Sequence, residues 1–261
     1  MKTRTMRGIA AALGTVGILA GTAAQASATG AHPAVAKYND PAATPAAYAN
    51  YLRHSHEEGS ADALKQFQRL SPADQNKFVG YLHDPAVLKA LLDKTSDQGA
   101  GISVSSRNTG SKVSLHGGDV IVGQEGTISG ISAASHPLPK GNHEVTYTTY
   151  IKALGIKIIK LNLSVKFYSN GRDITKAIDA EASKKNLSGA INLSHDRPKK
   201  WLSDWSWCQR HGHCSRGHNA EASVIWEGSA VFRGAVFQVD KKQWMQANVY
   251  GKLTNYYLHN V

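Results

Sequence analysis

Cysteine is almost absent: Cys208 and Cys214 are the only two in 261 residues. So few thiols exclude a disulfide-dense scaffold and any multi-cysteine metal cluster. Acidic residues are also scarce, 19 against 30 lysines and arginines, and the net charge is +11. Long apolar runs are missing after the first two dozen residues, so nothing downstream reaches the ~20 residues a membrane-crossing helix needs. Four catalytic signatures are absent as well: Gly-x-Ser-x-Gly, His-Glu-x-x-His, the Walker loop and the dinucleotide-binding glycine pattern. The chain therefore offers no motif-level reason to read it as a lipase-type hydrolase, a zinc protease, a nucleotide-hydrolysing enzyme or a dehydrogenase.

The N-terminus is the most informative segment present. Lys2, Arg4 and Arg7 form a basic leader, and Ile9 to Ala24 is apolar and small. Ala24-Gln25-Ala26 and Ala26-Ser27-Ala28 each offer the small-x-small pattern of signal peptidase. Residues 1–28 are expected to be a secretory signal peptide, and the protein to be secreted and extracellular. Its heavy use of Ala and Gly points to a bacterial source. Cleavage would leave 27 basic against 19 acidic residues, a balance of +8. That charge favours anionic partners.

Residues 29–47 carry Pro33, Pro41 and Pro45 among Ala and Thr and are expected to be a disordered leader. Residues 48–95 repeat apolar side chains at helical spacing. Ser60 or Asp62 is expected to cap one helix, and Ser71-Pro72 to open the next, with a capping hydroxyl ahead of a proline. Asp84-Pro85 opens a further short helix with Val87, Leu88, Leu91 and Leu92. Residues 96–142 are a Gly- and Ser-rich connector with short strand-like runs, at Ile102–Ser105, Lys112–Leu115, Val120–Val122 and Thr127–Ile131.

Residues 143–261 alternate apolar and polar side chains, as half-buried strands do. Ile159, Leu161, Leu163, Val165 and Phe167 form one face. The adjacent pair Ile158 and Ile159 shifts the phase, which a bulge or two-sided burial would explain. Asn170-Gly171 is a hairpin turn. Ile174–Ser183 fits strand or helix equally. The expected fold is α+β, a small N-terminal helical subdomain followed by a mainly antiparallel β-sandwich or barrel-like domain.

The densest chemistry lies between Lys199 and Asn219. Cys208 and Cys214 are expected to form one disulfide, since an exported pair is oxidised. The alternative is a zinc site of Cys208, His211, Cys214 and His218, residue types that suit the ion at a spacing that is not a standard finger. Around them, Lys199, Lys200, Trp201, Trp205, Trp207, Arg210 and Arg216 interleave cations with aromatics, a composition that grips glycans, lipid interfaces or unstacked bases.

The expectation is a secreted, non-enzymatic interaction protein. Its basic Trp/His-rich disulfide loop would bind an anionic cell-envelope component or an extracellular protein, with no cofactor. A hydrolase built on a His/carboxylate pair, from His116 and Asp119 or from His195 and Asp196, is one alternative; His54–Glu58 has metal-compatible residue types but reads as a solvated helix end. A membrane-active antibacterial protein is another, since a membrane surface would attract the charge. Nucleic acid ranks last, because an exported chain seldom meets it.

Overall fold

The computed structural model describes residues 40–87, 112–129, 136–208, 214–232 and 235–261. The expected signal peptide, Ile102–Ser105, most of the helix opened by Asp84-Pro85, Arg210 and His211 lie outside the described residues.

Three helices come first. Helix α1 spans Pro45–His54, α2 Ser60–Gln68 and α3 Pro72–Leu82. Local capping explains two of the starts. The Thr44 hydroxyl accepts the Ala47 amide and the Ser71 hydroxyl the Asp74 amide, each ahead of a proline with no amide to satisfy. The start of α2 differs from expectation. Its N-cap is Gly59, in the left-handed region at φ 74° and with no side-chain cap, and Ser60 is the first helical residue. Ser60 lies inside the helix, and its hydroxyl donates to the Ser55 carbonyl at 3.0 Å. Tyr48, Phe67 and Phe78, one from each helix, meet with ring centroids 5.1–5.2 Å apart.

Two antiparallel five-stranded sheets follow, and neither closes on itself. The fold is therefore α+β with an open sandwich and not a barrel. In the first sheet β1 (Lys112–Leu115), β2 (Val120–Ile128), β3 (Gly141–Ala153), β4 (Ile156–Ser169) and β5 (Ile174–Asn186) lie in sequence order. The two short runs expected at Val120–Val122 and from Thr127 belong to one strand, which ends at Ile128; Ile131 lies outside the described residues. The ambiguous run at Ile174–Ser183 is also a strand, because β4 pairs along its length. The phase shift at Ile158 is a register irregularity between Ile151 and Lys152, and Ile158 and Ile159 are both buried.

The second sheet holds β6 (Ile191–His195), β7 (Lys199–Cys208), β8 (Cys214–Phe232), β9 (Ala235–Ala247) and β10 (Leu253–Asn260). Strand β8 organises it. One edge of β8 pairs with β7 over Cys214–Ser223 and then with β6 over Trp226–Ala230, and the other edge pairs with β9 over Ala220–Phe232.

The helices and both sheets share one apolar core. Tyr147, Ile151, Leu163 and Phe167 enter it from the first sheet, Trp226, Met245 and Leu258 from the second. Gln243 is fully buried between the sheets. It accepts from the Trp226 indole at 2.8 Å and donates to the Tyr147 carbonyl at 3.3 Å, so its amide is satisfied from both layers. The Tyr48 hydroxyl donates to the Leu187 carbonyl at 2.8 Å, which fastens α1 to the end of β5.

Candidate functional site

Strand β8 begins six residues before β9 reaches it. Over Cys214–Asn219 its partner is β7 alone, so the far half of the β7–β8 hairpin is a two-stranded ribbon extending past β9. The expected loop of cations and tryptophans is thus mostly strand. Strand alternation divides it, because successive side chains point to opposite faces. Lys199, Trp201, Ser203, Trp205 and Trp207 hold one set of register positions, and Lys200, Leu202, Asp204 and Ser206 the other.

The expected binding residues therefore do not form a single cluster. Lys199 is exposed, and Trp201, at 37% exposure, is the most exposed aromatic among the described residues. Lys200 turns the other way and pairs with Asp179 of β5 at 3.3 Å. The Ala180 amide and Lys200 together hold the Asp179 carboxyl below its ordinary range. Trp205 is half-buried, and its indole nitrogen lies 2.8 Å from where a side chain on Gly217 would begin. Only glycine leaves that room. Arg216 is exposed and pairs in register with Ser206.

The expected Cys208–Cys214 bond concerns side chains outside the described set, and there is no disulfide among the described residues. The backbone places the two cysteines directly opposite one another at the end of the ribbon. Among the described residues no group of three or more His, Cys, Asp or Glu is arranged to hold a metal ion. His218, the described histidine of the zinc alternative, is occupied. Asp173, from the turn between β4 and β5, accepts from its backbone amide at 2.8 Å and bonds its Nδ1 at 2.7 Å. Its Nε2 lies 3.4 Å from Asp204.

Among the described residues two further histidines pair with aspartates, His83 with Asp40 and His116 with Asp84. Like His218–Asp173, each joins separate stretches of chain and braces the fold. In the His195-Asp196 dipeptide no bond joins the two side chains among those the structure gives, and each bonds a backbone group. The Asp196 carboxylate accepts the Ile225 amide at 2.7 Å, and His195 bonds the Asp196 carbonyl.

Beside Trp201, the outward face of the second sheet carries groups that sequence reasoning missed. Glu221 stands opposite Trp201 and is buried, although it points away from the core. Its carboxylate accepts from the Trp244 indole at 2.8 Å and from Gln246 at 2.9 Å. Trp244 stacks on Tyr257 at 4.9 Å between centroids, and Tyr257 on His259 at 4.2 Å. Burial, then the neighbouring Lys242 and Lys241, pushes the His259 pKa down, so that ring favours its neutral form. Trp244, Tyr257 and His259 form one continuous stack, and Trp201 is the exposed aromatic side chain among those described on this face.

This face could bind a flat, partly apolar surface with anionic groups: the indole supplies contact area, and Lys199 supplies charge. Comparison with known protein families, with curated proteins and with solved structures finds no match to this chain.

Proposed function

We propose that the protein is an exported, non-enzymatic binding protein, and that the β7–β8 hairpin grips an anionic, sugar-bearing polymer of the cell envelope. One observation carries this reading: Trp201 stays open on the outer strand β7 beside exposed Lys199, while Trp244, Tyr257 and His259 of that face are stacked on one another. An indole offers a large rigid contact at low entropic cost. A lysine beside it adds attraction for a negatively charged ligand. The basic balance of the chain and the leader-like first 28 residues support the same reading.

In this proposal a Cys208–Cys214 bond locks the ribbon end. Directly opposed residues in an antiparallel pair sit about 4.5–5.5 Å apart at Cα, within the range a disulfide spans. The bond would hold the ribbon in one geometry and lower the entropic cost of binding.

The test is sedimentation with isolated envelope material. Lys199→Gln with Trp201→Ala is expected to weaken binding roughly tenfold, the loss of a modest hot spot. The melting temperature should be nearly unchanged. Thiol titration of the exported, unfolded protein should find no free cysteine, and reduction should release both. Wild-type binding by the double variant would overturn the assignment of the hairpin.

A further inference from the structure

The opposite face of the molecule carries a second feature, visible only through strand register. One row crosses all five strands of the first sheet: Lys112 faces Gly123, Gly123 faces Tyr150, Tyr150 faces Lys160, and Lys160 faces Lys185. In the row beside it Lys152 faces Lys157. Five lysines thus share one outward face. With strands about 4.8 Å apart, the band is about 19 Å long.

Tyr150 lies at its centre, and its ring rests on β2. A side chain on Gly123 would start 2.3 Å from that ring, so glycine is required beneath it. The ammonium groups of Lys157 and Lys152 lie 4.7 and 5.5 Å from the ring centroid. The tyrosine therefore gathers two cations over its face.

Two lysine pairs stand directly opposite across strands, Lys160 with Lys185 and Lys152 with Lys157, and such like-charge pairs are destabilising. Few acids offset them. Glu125 pairs with Lys157 at 3.3 Å. Glu58 and Asp62, at the start of α2, attract Lys185. Burial, and the nearby Lys157 and Lys160, lower the Lys185 pKa against the pull of those two acids. The fold holds together charges that would lower its free energy by dispersing. An anion laid across the band would relieve that repulsion.

We propose that this band is a docking surface for a linear phosphate-bearing polymer, aligned across the strands. Lysine ammoniums are compact point charges that suit phosphate without the two-pronged geometry of arginine. Their row matches a chain of regularly spaced negative charges. The proposal goes beyond the hairpin reading and uses none of its residues.

The probe is inorganic polyphosphate added to the full chain, with affinity measured at several salt concentrations. Wild-type binding should weaken steeply with salt, as multiple charge neutralisation requires. Replacing Lys152, Lys160 and Lys185 by Gln should reduce affinity roughly tenfold or more and flatten the salt dependence. Replacing the same three by Arg should preserve binding, and Trp201→Ala should leave it unchanged. If the three-Gln variant loses its cooperative melt, the single Lys185→Gln variant replaces it, with a smaller loss expected in the same direction. Wild-type affinity in the folded Gln variant would overturn the proposal. Equal, lysine-dependent affinity for polyglutamate would overturn the choice of phosphate. Loss of envelope binding in Trp201→Ala, with polyphosphate binding intact, would separate the two surfaces.

Discussion

Gly251 shows how one backbone position can tie two edges of the sandwich together. It lies in the turn between β9 and β10 with φ 70°, in the left-handed region. A side chain there would begin 2.1 Å from Cδ1 of Ile128, at the end of β2, and 3.3 Å from Leu138. The Leu138 amide in turn donates to the Val249 carbonyl at 2.8 Å. Gly251→Ala combines positive-φ strain with overpacking, and it should destabilise the protein by about 1–3 kcal/mol. Urea unfolding should show a lower midpoint at unchanged slope. An unaltered midpoint would mean that the turn relaxes freely. None of this is legible in sequence, because Ile128 and Leu138 lie far from Gly251 along the chain. The same holds for Glu221, Trp244 and Asp173. Their partners lie 23 residues away for Glu221 and Trp244 and 45 for Asp173 and His218, and only register brings them together.

Elements were readable where their cause is local. Ser71-Pro72 names the start of α3 because the cap spans three residues, and the structure has that bond at 3.1 Å. Alternation in β4 is readable for the same reason. Ile174–Ser183 was not, since its apolar spacing suits both periods and the decision belongs to β4, the neighbouring strand. The β7–β8 ribbon resembles a loop in sequence because Pro198, Lys199 and Lys200 stand beside its tryptophans, whereas pairing partners define it. Helix α3 also makes a non-local contact that capping does not foresee: the Tyr81 hydroxyl donates to Asp119 at 2.7 Å, and the ring stacks on His116. Ser71→Ala should therefore cost only the cap, about 1 kcal/mol. Ser71→Asp should restore most of it. The two unfolding midpoints read this directly, and equal destabilisation by both would show that the cap is not what Ser71 supplies.

At the scale of the whole molecule, the layers are joined by buried tyrosines, and this gives stability a definite dependence on alkaline pH. Burial, with a smaller contribution from Tyr51, drives the Tyr48 pKa well above its ordinary 10, and burial does the same to Tyr147. Tyr48 seals the helices to the end of the first sheet, and Tyr147 meets Tyr256 of β10 with ring centroids 4.8 Å apart. Both groups have a folded pKa above the unfolded value. Their contribution is fully present below pH 10 and is lost as pH rises beyond it, because the unfolded chain releases those protons first. The opposite shift, in Lys185, comes first from burial and then from the nearby Lys157 and Lys160; its cost is present at neutral pH and is relieved as pH rises through the lowered folded pKa. The tyrosine contribution to the urea midpoint should thus hold level to about pH 10 and then fall. The tyrosinate absorbance of the buried rings should rise in one cooperative step with unfolding. Tyr48→Phe should begin from a lower midpoint, having lost the bond to the Leu187 carbonyl, and should fall less steeply above pH 10. Gradual ionisation of these rings while the chain stays folded would mean that water reaches the seam between the layers. In that case the helices would be a detachable cover over the sheets and not part of their core.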